Sequence, residues 1–219
     1  MRLDLVDEDY EKRMDLAKMD CDEGRGDPVA CHGVGEFISA VKQDRAGAAA
    51  VYAHNCKTKN YPPSCFLLGR LHLKGVGVEQ NDTEAARLFD KACKGGHTQA
   101  CNHLGLLLLH GSEGPHGVQS DKERALSLME GACKQGASDS CYHLGSQFLR
   151  RDGKGVVKRD VNRAKGLLEM GCAQGHGPSC FNLAVMYKHG DDGIPIDMDK
   201  YKQYADRTNE LVDLMGRLK

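Results

Sequence analysis

CKQGASDSC, residues 133–141, sets a cysteine, a glycine turn, a small residue and a second cysteine in a row, and the chain repeats this punctuation. Cys93 to Cys101 (CKGGHTQAC) and Cys172 to Cys180 (CAQGHGPSC) keep the spacing, while Cys56 to Cys65 (CKTKNYPPSC) and Cys21 to Cys31 (CDEGRGDPVAC) are looser copies. All ten cysteines fall into these five pairs. Second cysteines at 31, 65, 101, 141 and 180 give steps of 34, 36, 40 and 39 residues, with the extra residues collected in the loop inside each repeat. A period of this size is the mark of a helical repeat array.

Superposing the units on their cysteines shows which positions are dictated. Four residues after the second cysteine stands Gly35, Gly69, Gly105, Gly145 or Ala184. Glycine in a helix interior costs about 1 kcal/mol against alanine, so its recurrence at one helical position points to a neighbouring backbone that approaches too closely for a side chain. Eight residues before the first cysteine stands the natural partner, Ala48, Ala85, Ala125 or Ala164. Apolar pairs follow at the spacing of a buried helical stripe: Val51/Tyr52, Leu88/Phe89, Leu128/Met129 and Leu167/Leu168. The chain therefore reads as all-α, an α/α solenoid of helix-turn-helix repeats. The expected organisation is a single array over 1–219, with a capping helix at 1–20, repeats at 21–57, 58–94, 95–134, 135–173 and 174–219, and a C-terminal capping helix in the last. The cap at 1–20 rests on an amphipathic stretch with Tyr10, Met14, Leu16 and Ala17 among charges.

Helix ends carry their own signals. First helices finish on a cation followed by glycine, at Lys74-Gly75, His110-Gly111, Arg151 with Gly153, and His189-Gly190. Second helices open on polar caps, Asn81 with Glu84 and Ser120 with Glu123, the latter matching a capping box.

With the first cysteine in the last turn of one helix and the second in the first turn of the next, a tight turn brings the two within bonding distance. The expected disulfides are Cys21–Cys31, Cys56–Cys65, Cys93–Cys101, Cys133–Cys141 and Cys172–Cys180, each stapling a repeat to its successor. Zinc would want C-x2-C spacing, which is missing. Redox catalysis would want a close C-x-x-C, also missing. The ten histidines invite metal or haem ligation. Yet His110 and His189 fall at helix ends, His97 and His176 follow a turn glycine, and His103 and His143 recur at one register, so a scaffold role is expected and axial ligation is the alternative. Ser39-Ala-Val-Lys42 matches the S-x-x-K of penicillin-recognising serine enzymes, but no S-D-N or K-T-G accompanies it.

Composition excludes other classes. A net charge of −1, with no Lys/Arg block, supplies no field for a nucleic acid. The longest apolar run, 104–109, is too short for a bilayer. The amino terminus, MRLDLVDEDYEKRMD, is acidic from residue 4 and has neither an apolar h-region nor an Arg-rich presequence, which alone points to the cytosol. Paired cysteines point instead to an oxidising compartment.

C-x7-C at the seam, glycine four residues later and a G-x-G-V or D-G-x loop together resemble the cysteine-rich Sel-1-like repeat family over nearly the whole chain. Within it the last unit, CAQGHGPSCFNLAVMYKHGDDGIPIDMDKYKQYADRTNEL, looks most like the cytochrome c oxidase assembly factors. The resemblance implies a non-enzymatic scaffold of the mitochondrial intermembrane space, entering without a presequence and trapped by oxidation. Its partners would be proteins, the assembly components of complex IV, engaged by a monomer with no catalytic residue, no metal, no nucleic acid and no membrane insertion. No cofactor is expected; haem binding or thiol-disulfide exchange for metal-centre insertion is the alternative. A second alternative is a secreted bacterial cysteine-rich repeat protein with penicillin-binding or β-lactamase-like activity through Ser39. First-helix residues such as Arg70, Gln147 and Arg150 fit a contact face and a solvated face equally, so the sequence assigns no contact residue.

Overall fold

Four residues before each second cysteine the chain enters a helix. Asp27, Tyr61, His97, Ala137 and His176 are the N-cap residues of five first helices, all in extended backbone. The computed structural model describes residues 8–151 and 156–217, and among them the ordered elements are eleven α-helices and no strand. In order they are α1 Glu8–Asp22, α2 Pro28–Ala40, α3 Arg45–Thr58, α4 Pro62–Lys74, α5 Asp82–Lys94, α6 Thr98–His110, α7 Lys122–Lys134, α8 Ser138–Leu149, α9 Val161–Ala173, α10 Gly177–His189 and α11 Met198–Arg217. They group into two compact units, 1–120 with α1 to α6 and 121–219 with α7 to α11.

Both units are stacks of antiparallel helix pairs, and the crossing inside a pair is set by the repeated glycine. A methyl group on Gly69 would stand 2.8 Å from the Phe89 ring, and on Gly35 it would fall on the Tyr52 ring. At Gly145 it would meet Leu168 at 3.3 Å and the Ala164 carbonyl at 3.4 Å. The close approach is therefore real. What fills the space at Gly35 and Gly69 is the ring four residues before the first cysteine, with the alanine eight before it lying beneath. Ala48, Ala85, Ala125 and Ala164 are completely buried, as a position crossed by another helix requires.

The turn between the cysteines is equally regular. His97 N–H donates to the Ala92 carbonyl at 3.0 Å, Ala137 N–H to Ala132 at 2.9 Å and His176 N–H to Gly171 at 3.0 Å. This six-to-one closure is the Schellman arrangement, which puts the preceding residue in the left-handed region. Gly96, Gly136 and Gly175 occupy it with φ of 90°, 92° and 84°. In the looser copy Asn60 takes the same role at φ 51°, a conformation asparagine tolerates better than most residues.

Most helix ends fall where expected, and two do not. Lys74 closes α4 and Gly75 follows in left-handed backbone, and Asn81 caps α5 by accepting the Glu84 N–H at 2.8 Å. By contrast the cap of α7 is Asp121, accepting the Arg124 N–H at 3.0 Å, while Ser120 Oγ donates to the Leu109 carbonyl at 3.3 Å. A carboxylate one residue nearer the helix outcompetes the hydroxyl. Helix α8 stops at Leu149, so Arg151 lies beyond it and pairs with Asp191 at 2.6 Å. Gly153 is outside the described residues. In α1, Tyr10 sits edge-on to Phe37 at 5.5 Å, but Leu16 is 63% exposed and is not part of the buried stripe.

Candidate functional site

Cysteines come first, because the turns exist to bring them together. The five expected pairs lie across the five inter-helix turns, with Cα–Cα separations of 5.5, 4.9, 4.8, 4.7 and 4.8 Å in chain order, all at disulfide distance. Nine of the ten cysteines are buried, Cys93 being half-buried. Each pair sets the last turn of a second helix against the first turn of the following first helix, so it lies at a repeat boundary.

Histidines serve the same turns. His97 and His176 are N-caps whose Nδ1 accepts a backbone N–H, from Ala100 at 3.3 Å and Ser179 at 3.2 Å. Both rings also pack on the preceding repeat: His97 stacks on Phe66 with ring centres 4.4 Å apart, and His176 meets Tyr142 at 5.0 Å. Burial lowers the pKa of both below the ordinary histidine value, against the nearby Asp139 in the case of His176. Sequence reading placed these two histidines in the turn but missed the capping role; the signal was their position four residues before the second cysteine.

His176 deserves a chemical test, since its Nδ1 is 2.9 Å from Ser179 Oγ and its Nε2 is 3.1 Å from Asp139. That is the order of a serine-histidine-carboxylate line. Ser179 is completely buried, however, and the same Nδ1 already serves a backbone N–H. No substrate carbon can reach that hydroxyl, so the line is a cap. Ser39 fares no better as a nucleophile. Its hydroxyl accepts from the Arg45 guanidinium, which cannot take a proton, and Lys42 lies past the end of α2, bound to Asp15 at 2.6 Å. Among the described residues there is also no group of three or more His, Cys, Asp or Glu side chains placed to hold a metal ion.

Open surface lies elsewhere, between successive second helices. Ala46, Ala49, Ala50 and Ala53 of α3 floor a cleft of about 430 Å³ whose far wall is Leu88, Arg87 and Lys91 of α5. Small residues at i, i+3, i+4 and i+7 leave a groove along a helix, a pattern readable in AGAAAVYA. Arg87 forks onto Glu84, with Nε donating at 2.8 Å, and Lys91 donates to the Cys56 carbonyl at 2.7 Å. In the other unit a cleft of about 550 Å³ between α9 and α11 is polar, lined by Glu169, Gln203, Asp206, Arg207 and Glu210. Of the first-helix candidates, Arg70 instead lies over the Phe66 ring at 5.7 Å and lines a third hollow with Ser39 and Arg45. Gln147 is half-buried on α8, and Arg150 is the residue that ends α8.

Comparison with known proteins fits this geometry. The Sel1 repeat matches four times, at residues 62–97, 98–136, 138–176 and 177–200, each match opening at or just before a first helix. This chain belongs to the Sel1 repeat family. A solved Sel1 repeat protein from Oxalobacter formigenes superposes with a TM-score of 0.73 at 26% identity, covering 84% of this chain and 73% of that one. A protective antigen of uropathogenic Escherichia coli with an SLR fold gives 0.72 at 20% identity over 90% of this chain and 41% of that one, a likeness of fold. In sequence, the Sel1 chain is 33% identical over 85 residues to the cytochrome c oxidase assembly factor 7 homolog of Drosophila melanogaster, which is 37% of this chain and 32% of the relative. Cytochrome c oxidase assembly factor 7 of Homo sapiens is 32% identical over 95 residues, 42% of this chain and 41% of the relative. The matches thus span less than half the length of these curated relatives.

Proposed function

We propose that this Sel1 repeat protein is a non-enzymatic assembly factor that holds protein partners during the biogenesis of cytochrome c oxidase, in the mitochondrial intermembrane space. The observation that carries the reading is its similarity to cytochrome c oxidase assembly factor 7 from insect and vertebrate sources. The geometry supports it. Sel1 repeats are protein-interaction modules, and the clefts along α3 and α9 are open grooves rather than enclosed substrate cavities. Five cysteine pairs at bonding distance favour an oxidising compartment; in this reading all five are disulfides of the working protein. No helix among the described residues is long and apolar enough to cross a membrane, which agrees with partners being met through the repeat surfaces.

Disruption of the gene, followed by native-gel analysis of respiratory complexes, tests the reading. Assembled cytochrome c oxidase should fall severalfold while complex III stays level, and re-expression should restore it. Unchanged cytochrome c oxidase would contradict the assembly role. Protease digestion of intact and of outer-membrane-ruptured mitochondria tests the compartment: digestion only after rupture is expected.

A further inference from the structure

One residue after the second cysteine, three of the five first helices present a ring to the helix N-terminus of the next repeat, while in α6 the position is the buried Asn102. His32 meets Tyr61, the N-cap of α4, at 5.5 Å. Phe66 stacks on His97, the N-cap of α6, at 4.4 Å and 26°, and also meets His103 at 5.1 Å. Tyr142 meets His176, the N-cap of α10, at 5.0 Å. Phe181 of α10 stands at the same register, and it is 56% exposed. One turn on, Val185 is 40% exposed.

Helix α11 continues the surface. Gln203, Asp206, Arg207 and Glu210 line its cleft with α9, while Tyr201, Tyr204 and Leu211 pack on the core it shares with α10. At 100° per residue, the side of α11 turned away from α9 carries Met198, Ala205 and Val212, spaced by sevens. Met198 is 56% and Val212 is 54% exposed. Phe181, Val185, Met198 and Val212 thus expose large apolar side chains where a solvated helix would carry charge.

We infer that this face is a docking site for an amphipathic α-helix of a partner protein, which enters as the first helix of a sixth repeat would. Its N-terminal turn rests an imidazole or aromatic ring on Phe181, and its apolar side lies along Met198, Ala205 and Val212. The inference rests on continuity with the seams inside the molecule, where the same register is covered by a ring at a helix N-terminus three times. A second copy of the chain is the poorer occupant. Every helix that begins on such a turn, α2, α4, α6, α8 and α10, is already seated within its own unit. The site is independent of which complex the protein serves.

The probe is a peptide of residues 96–111 with Cys101→Ser, the segment that covers Phe66 inside the molecule. It carries a fluorescein label, since the chain has no tryptophan. Anisotropy titration against the full chain should show saturable binding. Phe181→Asp and Val212→Asp should each weaken it roughly tenfold or more, the scale of a lost buried anchor. Both residues are solvent-exposed, so thermal unfolding of the two variants should match the parent. His97→Ala in the peptide should also weaken binding. Absence of saturable binding, or binding indifferent to Phe181→Asp, overturns the inference. So does sedimentation showing that the parent self-associates through this face, with the association lost in Phe181→Asp.

Discussion

His97 and His176 close the N-termini of α6 and α10 with an unprotonated Nδ1. A protonated ring has no acceptor there, and burial already disfavours the charge. A histidine pKa lowered on folding means that the unfolded chain binds more protons below about pH 6.5, the unfolded value. The stability from these caps is fully present above that pH and is lost as pH falls through the folded value. Thermal melts between pH 7.5 and 5 should therefore show a decline in Tm that shrinks in His97→Asn and His176→Asn, which keep an acceptor that does not titrate. An unchanged pH slope in the double variant would contradict the capping role. Gly69 and Gly145 give a second test at this scale. A methyl at Gly69 meets the Phe89 ring at 2.8 Å, whereas at Gly145 it meets Leu168 at 3.3 Å. Gly69→Ala should destabilise by about 1–3 kcal/mol, as overpacked cores do. Gly145→Ala should cost less, because the helix propensity of alanine, about 1 kcal/mol, offsets a contact a flexible leucine can relieve. Denaturant titration ranks the two.

At the scale of the element, the repeat unit was legible because cysteine spacing, a glycine four residues on and an alanine eight residues back are all local in sequence. The turn was legible too, since only a few residues sit comfortably at φ near 90°. What fills the crossing at Gly35 and Gly69 was less so. The alanines invited a backbone-to-backbone reading, whereas the structure places the Tyr52 and Phe89 rings over those glycines, and nothing local says which of two adjacent buried residues lies over the glycine. Cap choice failed at Ser120 for a similar reason, as Ser120 and Asp121 both fit and only the carboxylate is in reach of the Arg124 N–H. The interaction clefts escaped because they lie between helices of different repeats, and their lining residues are not neighbours in the chain. The turn itself can be tested. Closing a loop of nine or so residues is worth about 2.5 kcal/mol in the chain-entropy estimate. Replacing Cys133 and Cys141 together by serine should leave far-UV helicity unchanged and lower unfolding stability by roughly that amount. A loss near zero would mean that the Schellman turn alone holds the joint.

For the whole molecule, family and fold follow from the repeat, and the partner does not. A net charge of −1 provides no strong overall field, and the proposed docking face is an apolar surface, which a sequence displays only after the helices are placed. Phe181 illustrates this: its register is plain in the sequence, but its exposure becomes visible only when Phe66 and Tyr142 are seen covered. Disulfides at the five joints, as proposed, would keep these surfaces in place, and counting thiols tests that directly. Protein isolated from its native source under an alkylating agent, then denatured without reductant, should react with no label at any of its ten cysteines. Ten reactive thiols would contradict both the stapled repeat and the oxidising compartment.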